Sequence, residues 1–499
     1  MEYILYTFLV AIFAYMAYYE SKNQLQMAQL EGYRPSQYLN WIKQNTNIVF
    51  LKRYLRIFKK DDKVKKPLVF THRAIRLFII NTIMLVFWFA LSLWITKKIL
   101  YFSLLLICIN ILIPYNMLLA TNIAYPIEMS IQKKYYKKAQ NKIRTMYKLT
   151  VIGITGSYGK TSTKYFLKTI LSVKYNTLMT PESYNTPMGI TKVIREQLNE
   201  QHEVFICEMG ARNIGEIKKL AELVNPSIGI ITSIGPQHLE TFKTIENVAK
   251  TKYELMEALP KSGTAVFNGD NAYCRELAEK ISIEKIFYSI NSDSKDGYIH
   301  AEEIINTEKG LKFKLKGRDN LSFECQTALL GKHNVSNILA AVCVALRLGL
   351  TYEEINVGIL KIKPVPHRLE LLSTNNGVIV IDDAFNSNPS GAKEALETIR
   401  EFSKGNRIVI TPGMVELGII EEEENKKFGR AMADCCDYAI LIGKKRSKPI
   451  IQGLLEGNFS KDRIIITASL EEATSKLAQI IKVGDAVLFE NDLPDNYNE

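Results

Sequence analysis

The feature that most constrains this chain is a short glycine-bearing turn set between a strand signal and a helix signal. Leu149–Thr155 (LTVIGIT) reads as a buried strand. Gly156-Ser157-Tyr158-Gly159-Lys160-Thr161 follows, and a helical pattern runs on from Ser162. Strand, loop and helix in that order build parallel α/β sheets. Gly156 and Gly159 let the backbone curl until its N–H groups, with that of Ser157, face an anion at a helix N-terminus, which already favours negative charge. Lys160 is then placed to reach the β- and γ-phosphates of a nucleotide, and the Thr161 hydroxyl to bind Mg2+. A long phosphate loop would carry its outer glycine at position 154, where this chain has Ile154. Only the shorter GxxGKT pattern holds. In its strand–loop–helix setting it points to nucleotide binding rather than to a structural turn.

Three later segments carry groups that a generic ATPase does not require. The strand in EVFICEMGAR ends at Glu208, a carboxylate at the C-terminal edge where α/β sites gather. NPSIGIITSIGPQHLETF reads as a second apolar strand ending in His238, and VAKTKYEL places Lys252 early in a helix. Taken singly, Glu208 is equally a solvated strand end, His238 a satisfied loop imidazole and Lys252 a surface lysine. Behind one phosphate loop, the three together indicate a catalytic site.

The first third of the chain has a different texture. Tyr3–Tyr19 is an apolar run of about minimum spanning length, and runs at Leu77–Ile95 and Ile99–Ala124 form a hairpin split by Lys97 and Lys98. No basic segment precedes the first run and no small-residue cleavage site follows it, which excludes a signal peptide. A buried soluble hairpin is the weaker alternative. The formal net charge of +12 concentrates beside these runs, at Lys52, Arg53, Arg56, Lys59, Lys60, Lys63, Lys65, Lys66, Arg73 and Arg76, and again between Lys133 and Lys148. That distribution argues for membrane lipids rather than nucleic acid as partner. By the positive-inside rule, it predicts a multi-pass protein of the cell membrane with three spans and cytoplasmic catalytic domains. Seven cysteines without a CxxC pair fit a reducing compartment.

Ten segments, in order, carry a family resemblance: TGSYGKTST, SYNTPMG, EMGARNIGEI, QHLETF, AKTKYEL, NGDN, GKHNVSNILAA, PHRLE, DDAFNSNPSGAKEAL and PGMVELG. From about Leu149 to Gly484 the chain resembles the Mur ligases, closest to the branch that adds D-alanyl-D-alanine to a UDP-muramoyl-tripeptide. The resemblance implies an α/β architecture: a P-loop ATP-binding central domain (149–366) and a Rossmann-like C-terminal domain (367–499), behind a membrane region (1–148). The stretch KPVPHR forms the hinge.

The resemblance also implies roles. Lys160 and Thr161 hold ATP phosphates and one Mg2+, with Glu208 as a further ligand. His238 and Lys252 serve a second Mg2+, Lys252 as a carbamate, which turns a cation into an oxygen donor suited to a hard ion. Asn334 contacts the adenine, and Arg368 and Asp383 close onto the nucleotide. A substrate carboxylate attacks the γ-phosphate, and an amine then displaces phosphate from the acyl phosphate.

Two departures bear on the substrates, a carboxylate-bearing cell-wall precursor and an amino acid or dipeptide. Apolar helices stand where the family grips UDP, which leaves the carboxylate substrate either UDP-linked or lipid-linked. The final strand GDAVLFE runs into NDLPDNYNE rather than a KGSR-like motif, so Asp492, Asp495 and Glu499 form an acidic rim favouring an amine, or else a solvated tail. A ligase for a poly-amino-acid remains open, as does a nucleotide-binding scaffold without catalysis. A P-loop GTPase would need a guanine-reading NKxD, which the sequence lacks.

Overall fold

The alternating strand and helix signals beyond Leu149 fold into two sheets, each covered on both faces by helices. The computed structural model describes residues 2–46, 49, 67–96, 98–182, 184–291, 299–307, 310–317, 322–372, 377–385, 387–402 and 404–492. They fall into two compact units, Met1–Tyr135 and Tyr136–Glu499.

Described helices of the first unit are α1 (Glu2–Leu30), α2 (Pro35–Gln44), α3 (His72–Ile95), α4 (Ile99–Ile111) and α5 (Ile113–Thr145), the last running past the unit's end. The three-span reading is corrected here, and with it the multi-pass placement in the cell membrane with cytoplasmic catalytic domains. Among the described residues one helix, α3, is long and apolar enough on its own to cross a membrane. The run Ile99–Ala124 is two helices broken at Leu112, and α4 and α5 pass that test only as a pair bent by 59°.

The first run is part of a 29-residue helix whose second half is polar. That half is bonded inside the unit: Gln24 Nε2 donates to Glu20 Oε1 at 2.7 Å, Tyr38 Oη to Gln24 Oε1 at 2.5 Å and Asn81 Nδ2 to Ser21 Oγ at 3.0 Å. Arg76 Nε sits 2.6 Å from Glu128 Oε1, with Arg73 Nε 3.8 Å from the other oxygen, so these two cations are ion-paired rather than free topology signals. The basic positions from Lys52 to Lys66, and Lys97, lie outside the described residues. On α3, Ile79, Ile83, Val86, Phe87 and Trp94 are exposed.

In the second unit the nine-stranded sheet has the order β2-β3-β1-β4-β5-β6-β7-β8-β9. Its strands are β1 (Thr150–Thr155), β2 (Thr177–Met179), β3 (Val204–Glu208), β4 (Ile228–Ile231), β5 (Thr264–Asn268), β6 (Glu284–Ser289), β7 (Ile299–Thr307), β8 (Gly310–Lys316) and β9 (Ser322–Thr327). From β2 to β7 neighbours run parallel, and β7, β8 and β9 are antiparallel. Near-continuous Val and Ile in β1, β3 and β4 follow from burial on both faces.

One face packs on α6 (Lys160–Leu171), with Phe166, Leu167 and Ile170 meeting Ile338 and Leu339. The other packs on α7 (Pro187–Glu196), α8 (Glu216–Val224), α9 (Leu239–Phe242), α10 (Ile245–Glu257) and α11 (Ala272–Glu279), and takes in Ala139 and Ile143. Chain order reverses at β1, which lies between β3 and β4. The crevice beyond its C-terminal end is where α/β sheets bind ligands.

Helices α12 (Lys332–Arg347) and α13 (Tyr352–Leu360) lead to the six-stranded sheet, ordered β10-β11-β15-β12-β13-β14. These are β10 (Glu370–Leu372), β11 (Ile379–Asp383), β12 (Arg407–Thr411), β13 (Tyr438–Ile442), β14 (Ile464–Thr467) and β15 (Ala486–Glu490). All run parallel except β10. Helix α14 (Pro389–Arg400) follows β11, and α15 (Glu421–Cys435) and α16 (Ser447–Glu456) pack together on one face. The mixed α/β class with two sheets is as expected. None of the seven cysteines is paired.

Candidate active site

The phosphate loop owes its shape to two glycines. Gly156 has φ 147° and Gly159 φ 78°, and an added Cβ would lie 2.1 Å from Thr232 Oγ1 at the first and 2.3 Å from Asn337 Oδ1 at the second. The loop is tied to the segment after β4: Ser157 N donates to Ser233 O at 2.7 Å, Ser157 Oγ to Gly235 O at 3.0 Å and Tyr158 N to Ser233 Oγ at 3.2 Å. Gly159 caps α6 without a side-chain hydrogen bond, which leaves the helix N-terminus directed at the cavity that Gly159, Lys160 and Thr161 line. That cavity has a volume of about 160 Å³.

Lys160 bends over the loop, donating to Gly156 O at 2.7 Å and Ser157 O at 3.1 Å. Burial pushes its pKa down to about 8, against the pull of Glu208 and with the push of Arg368. Glu208, at the end of β3, is 2% exposed. Its Oε1 accepts from Thr161 Oγ1 and Asn185 Nδ2, both at 3.2 Å, and its Oε2 from Lys164 Nζ at 2.9 Å. Burial acts to raise the Glu208 pKa, but Lys164, Lys160 and these hydrogen bonds outweigh it and hold the carboxyl below its ordinary value. The Lys164–Glu208 pair is fully buried, and removing one partner of such a pair costs about 3–5 kcal/mol.

Lys252 lies within α10, 1% exposed, and lines the same cavity. Among the described residues its Nζ has no hydrogen-bond or ion-pair partner. Burial, then the nearby Lys160, pushes its pKa down to about 7. The apolar run before His238 stops being strand at Ile231, because Thr232 and Ser233 turn to the phosphate loop. His238 therefore sits beyond the strand, not at its end, with φ 52° at the N-cap of α9. Its Nδ1 is engaged by the Glu416 carboxylate, whose other oxygen lies 3.1 Å from Arg212 Nη2. Burial lowers the imidazole pKa, and Glu416 only partly opposes this, so the neutral ring is favoured.

The second sheet supplies Arg368, Phe385 and Asn388 to the cavity wall. The Arg368 guanidinium lies 4.3 Å from the Phe385 ring centre, and no carboxylate of the described residues is within ion-pair distance of it. Asp383 stands behind Arg368, accepting from Leu369 N at 3.1 Å. Asn334 is buried away from the cavity, its Nδ2 donating to Leu330 O at 2.8 Å and its Oδ1 accepting from Asn337. The structure thus gathers Gly159, Lys160, Thr161, Glu208, His238, Lys252 and Arg368 in one cavity with Ser157, and keeps Gly156, Asn334 and Asp383 out of its lining. Sequence reasoning missed Lys164, Asn185, Arg212, Glu416 and Phe385, although all but Lys164 lie in the segments that carry the family resemblance.

The expected acidic rim takes another form. Asp495 and Glu499 lie outside the described residues. The acid brought inward is Glu490, fully buried at the end of β15 in register with Asp383. Ser387 Oγ donates to Glu490 Oε1, and burial followed by the Asp383 charge pushes its pKa well above the carboxylate range. Asp383 is raised as well, chiefly by burial.

No group of three or more His, Cys, Asp or Glu side chains among the described residues forms a metal cage. A divalent ion would take Glu208, Thr161 and phosphate oxygens, the sparse protein ligation that Mg2+ accepts. With Lys164 matched by Glu208, the cavity-lining Lys160, Lys252 and Arg368 leave the site a surplus of basic groups that suits a polyphosphate.

Residues 154–345 match the Mur ligase middle domain and residues 367–490 the Mur ligase, glutamate ligase domain. The chain belongs to the Mur ligase family. As a Mur ligase it is an ATP-dependent enzyme that forms carbon–nitrogen bonds. It is 30% identical over 341 residues to the UDP-N-acetylmuramoyl-tripeptide–D-alanyl-D-alanine ligase of Bacillus subtilis (strain 168), spanning 68% of this chain and 72% of that protein. The MurF ligase of Thermotoga maritima, solved in complex with ADP, superposes with a TM-score of 0.64 at 25% identity, over 72% of this chain and 80% of that one. MurF of Acinetobacter baumannii shares the fold at a TM-score of 0.66 and 24% identity, over 73% and 78%.

Proposed function

We propose that this Mur ligase joins the terminal carboxylate of a muramoyl-peptide precursor to the amine of D-alanyl-D-alanine, as the B. subtilis relative's name describes for that protein. The observation that carries the reading is the convergence of Lys160, Thr161, Glu208, His238 and Lys252 with Arg368 in one cavity. Central-domain residues to about 366 bind the nucleotide, and residues from 367 onward close over it with Arg368.

ATP supplies the phosphoryl group, and Mg2+, when bound, neutralises charge on its oxygens. The chain's own part is positioning and charge. Lys160 and the α6 N-terminus hold the phosphates, and Arg368 covers them from the other sheet. Thr161 and Glu208 serve one Mg2+. The substrate carboxylate attacks the γ-phosphate, and the incoming amine then displaces phosphate to form the amide.

A second Mg2+ is served by His238 and by Lys252 as a carbamate. Lys252 supports this by being buried, unpaired and depressed to about pKa 7, because only the neutral amine attacks CO2. An ammonium left there would repel the metal.

The test is product mass spectrometry with purified protein, ATP and Mg2+, offering UDP-linked and lipid-linked muramoyl-tripeptide against a panel of amino acids and dipeptides. The expected product gains the mass of D-alanyl-D-alanine less water. Amide formation with a different amine, and none with D-alanyl-D-alanine, would replace the substrate reading.

A further inference from the structure

Lys164 is a lysine without a role in the phosphate cradle, yet it is among the most deeply buried polar groups of the chain. It lies on α6 one turn beyond Lys160 and three residues after Thr161, so the helix presents all three toward the end of β3. Its side chain has no exposed surface, and its Nζ makes two hydrogen bonds, one to Glu208 Oε2 at 2.9 Å and one to the carbonyl of Glu182 at 2.5 Å. An apolar side chain of similar volume would fill this space without desolvating a charge. A lysine here needs a reason beyond packing.

The two oxygens of Glu208 supply it. Oε1 faces Thr161 Oγ1 and Asn185 Nδ2, on the cavity side. Oε2 is held by Lys164 on the protein side. Resting on the ligase reading above, we infer that Lys164 is a positioning residue that occupies Oε2 so that Glu208 offers a divalent ion one oxygen, Oε1, beside the Thr161 hydroxyl. A carboxylate free at both oxygens would swing toward Lys160 or chelate the ion with both. Either motion would move the metal away from the phosphates that share it. The second contact extends the same clamp to the backbone at Glu182, which has φ 40°. That segment also provides Asn185, so one ammonium fixes both the ligand and the loop packed against it. Partners of this kind behind a metal ligand typically contribute about 10–100-fold to metal affinity.

The test uses full-length protein and Mn2+ as the probe, with ADP, and reads bound Mn2+ by electron paramagnetic resonance. Lys164→Met is expected to weaken Mn2+ binding in the ADP complex by about 10–100-fold while ADP binding in EDTA stays within about threefold. Unchanged Mn2+ affinity in a folded Lys164→Met variant overturns the role of Lys164 and leaves the ligase reading standing. Parental protein that binds no Mn2+ with ADP overturns both.

If Lys164→Met alone does not fold, Glu208→Gln is compared with the Lys164→Met/Glu208→Gln double variant, in which no buried charge is left unpaired. Equal Mn2+ affinity in those two supports a role exercised through Glu208. A further drop in the double variant overturns it, because Lys164 would then act on the metal by another route.

Discussion

His238 Nδ1 and the Glu416 carboxylate are hydrogen-bonded across the two sheets, joining the segment after β4 to the segment after β12. Arg212 holds the other Glu416 oxygen from the central domain. A carboxylate on one ring nitrogen fixes the tautomer and leaves Nε2 as the atom able to face a metal. The contact that ties the second sheet to the central domain is therefore also the one that orients His238.

Glu416→Gln keeps the shape of this contact and removes its charge. Steady-state kinetics should show kcat/KM for the ligation falling about 10–100-fold. The thermal midpoint should barely move, since the glutamine oxygen still accepts from the His238 ring and the lost charge faces Arg212, which is 65% exposed and adds little stability. A variant with parental kinetics would mean that Glu416 only decorates the domain boundary.

In the proposed mechanism, Lys160→Ala removes the main protein charge on the transferred phosphate. ATP consumption should drop by about 10²–10³-fold, the usual loss for one well-placed donor. Parental turnover in the folded variant would place the nucleotide elsewhere.

Lys252→Ala should spare nucleotide binding, read by ADP titration, and abolish amide formation. Short carboxylic acids added to the assay should restore part of the activity by returning an oxygen donor. Lys250 is exposed on another face of α10 and serves as the internal control. Loss of activity in Lys250→Ala with none in Lys252→Ala would redraw the motif.

How much of this was legible in the sequence follows from the range of each signal. The turn between β1 and α6 is local, so its residues announce it. Glu208 is a carboxylate ending an apolar strand, equally local. Lys164 meets Glu208 from 44 positions away and His238 meets Glu416 from 178, and neither pairing leaves a trace in spacing. The run before His238 misled because Ile234 is buried in the core without being in a strand. Hydropathy similarly merged α4 and α5, since it cannot register a break at Leu112 or the bond from Asn116 Nδ2 to Asn81 Oδ1 at 2.9 Å.

Glu490 and Asp383 make a pH-dependent contribution to stability. Both have folded pKa values raised above the ordinary range, so the folded state holds protons that the unfolded chain gives up. Their contribution is fully present below the ordinary carboxylate pKa of about 4 and is lost as pH rises toward the folded values. Glu490→Gln stays neutral throughout. Its thermal midpoint should exceed the parental one at pH 8 by a few degrees, taking about 2–4 °C per kcal/mol, and the gap should close toward pH 5. A gap that widens toward pH 5 would reverse the sign of this linkage.

The central claim is phosphoryl transfer to a substrate carboxylate before the amide forms. With the muramoyl-tripeptide carboxylate labelled with 18O, ATP, Mg2+ and D-alanyl-D-alanine, the released inorganic phosphate is analysed by mass spectrometry. One 18O atom per phosphate is expected, with ADP and amide formed in equal amounts. Unlabelled phosphate alongside the amide, or AMP and pyrophosphate as products, would contradict it.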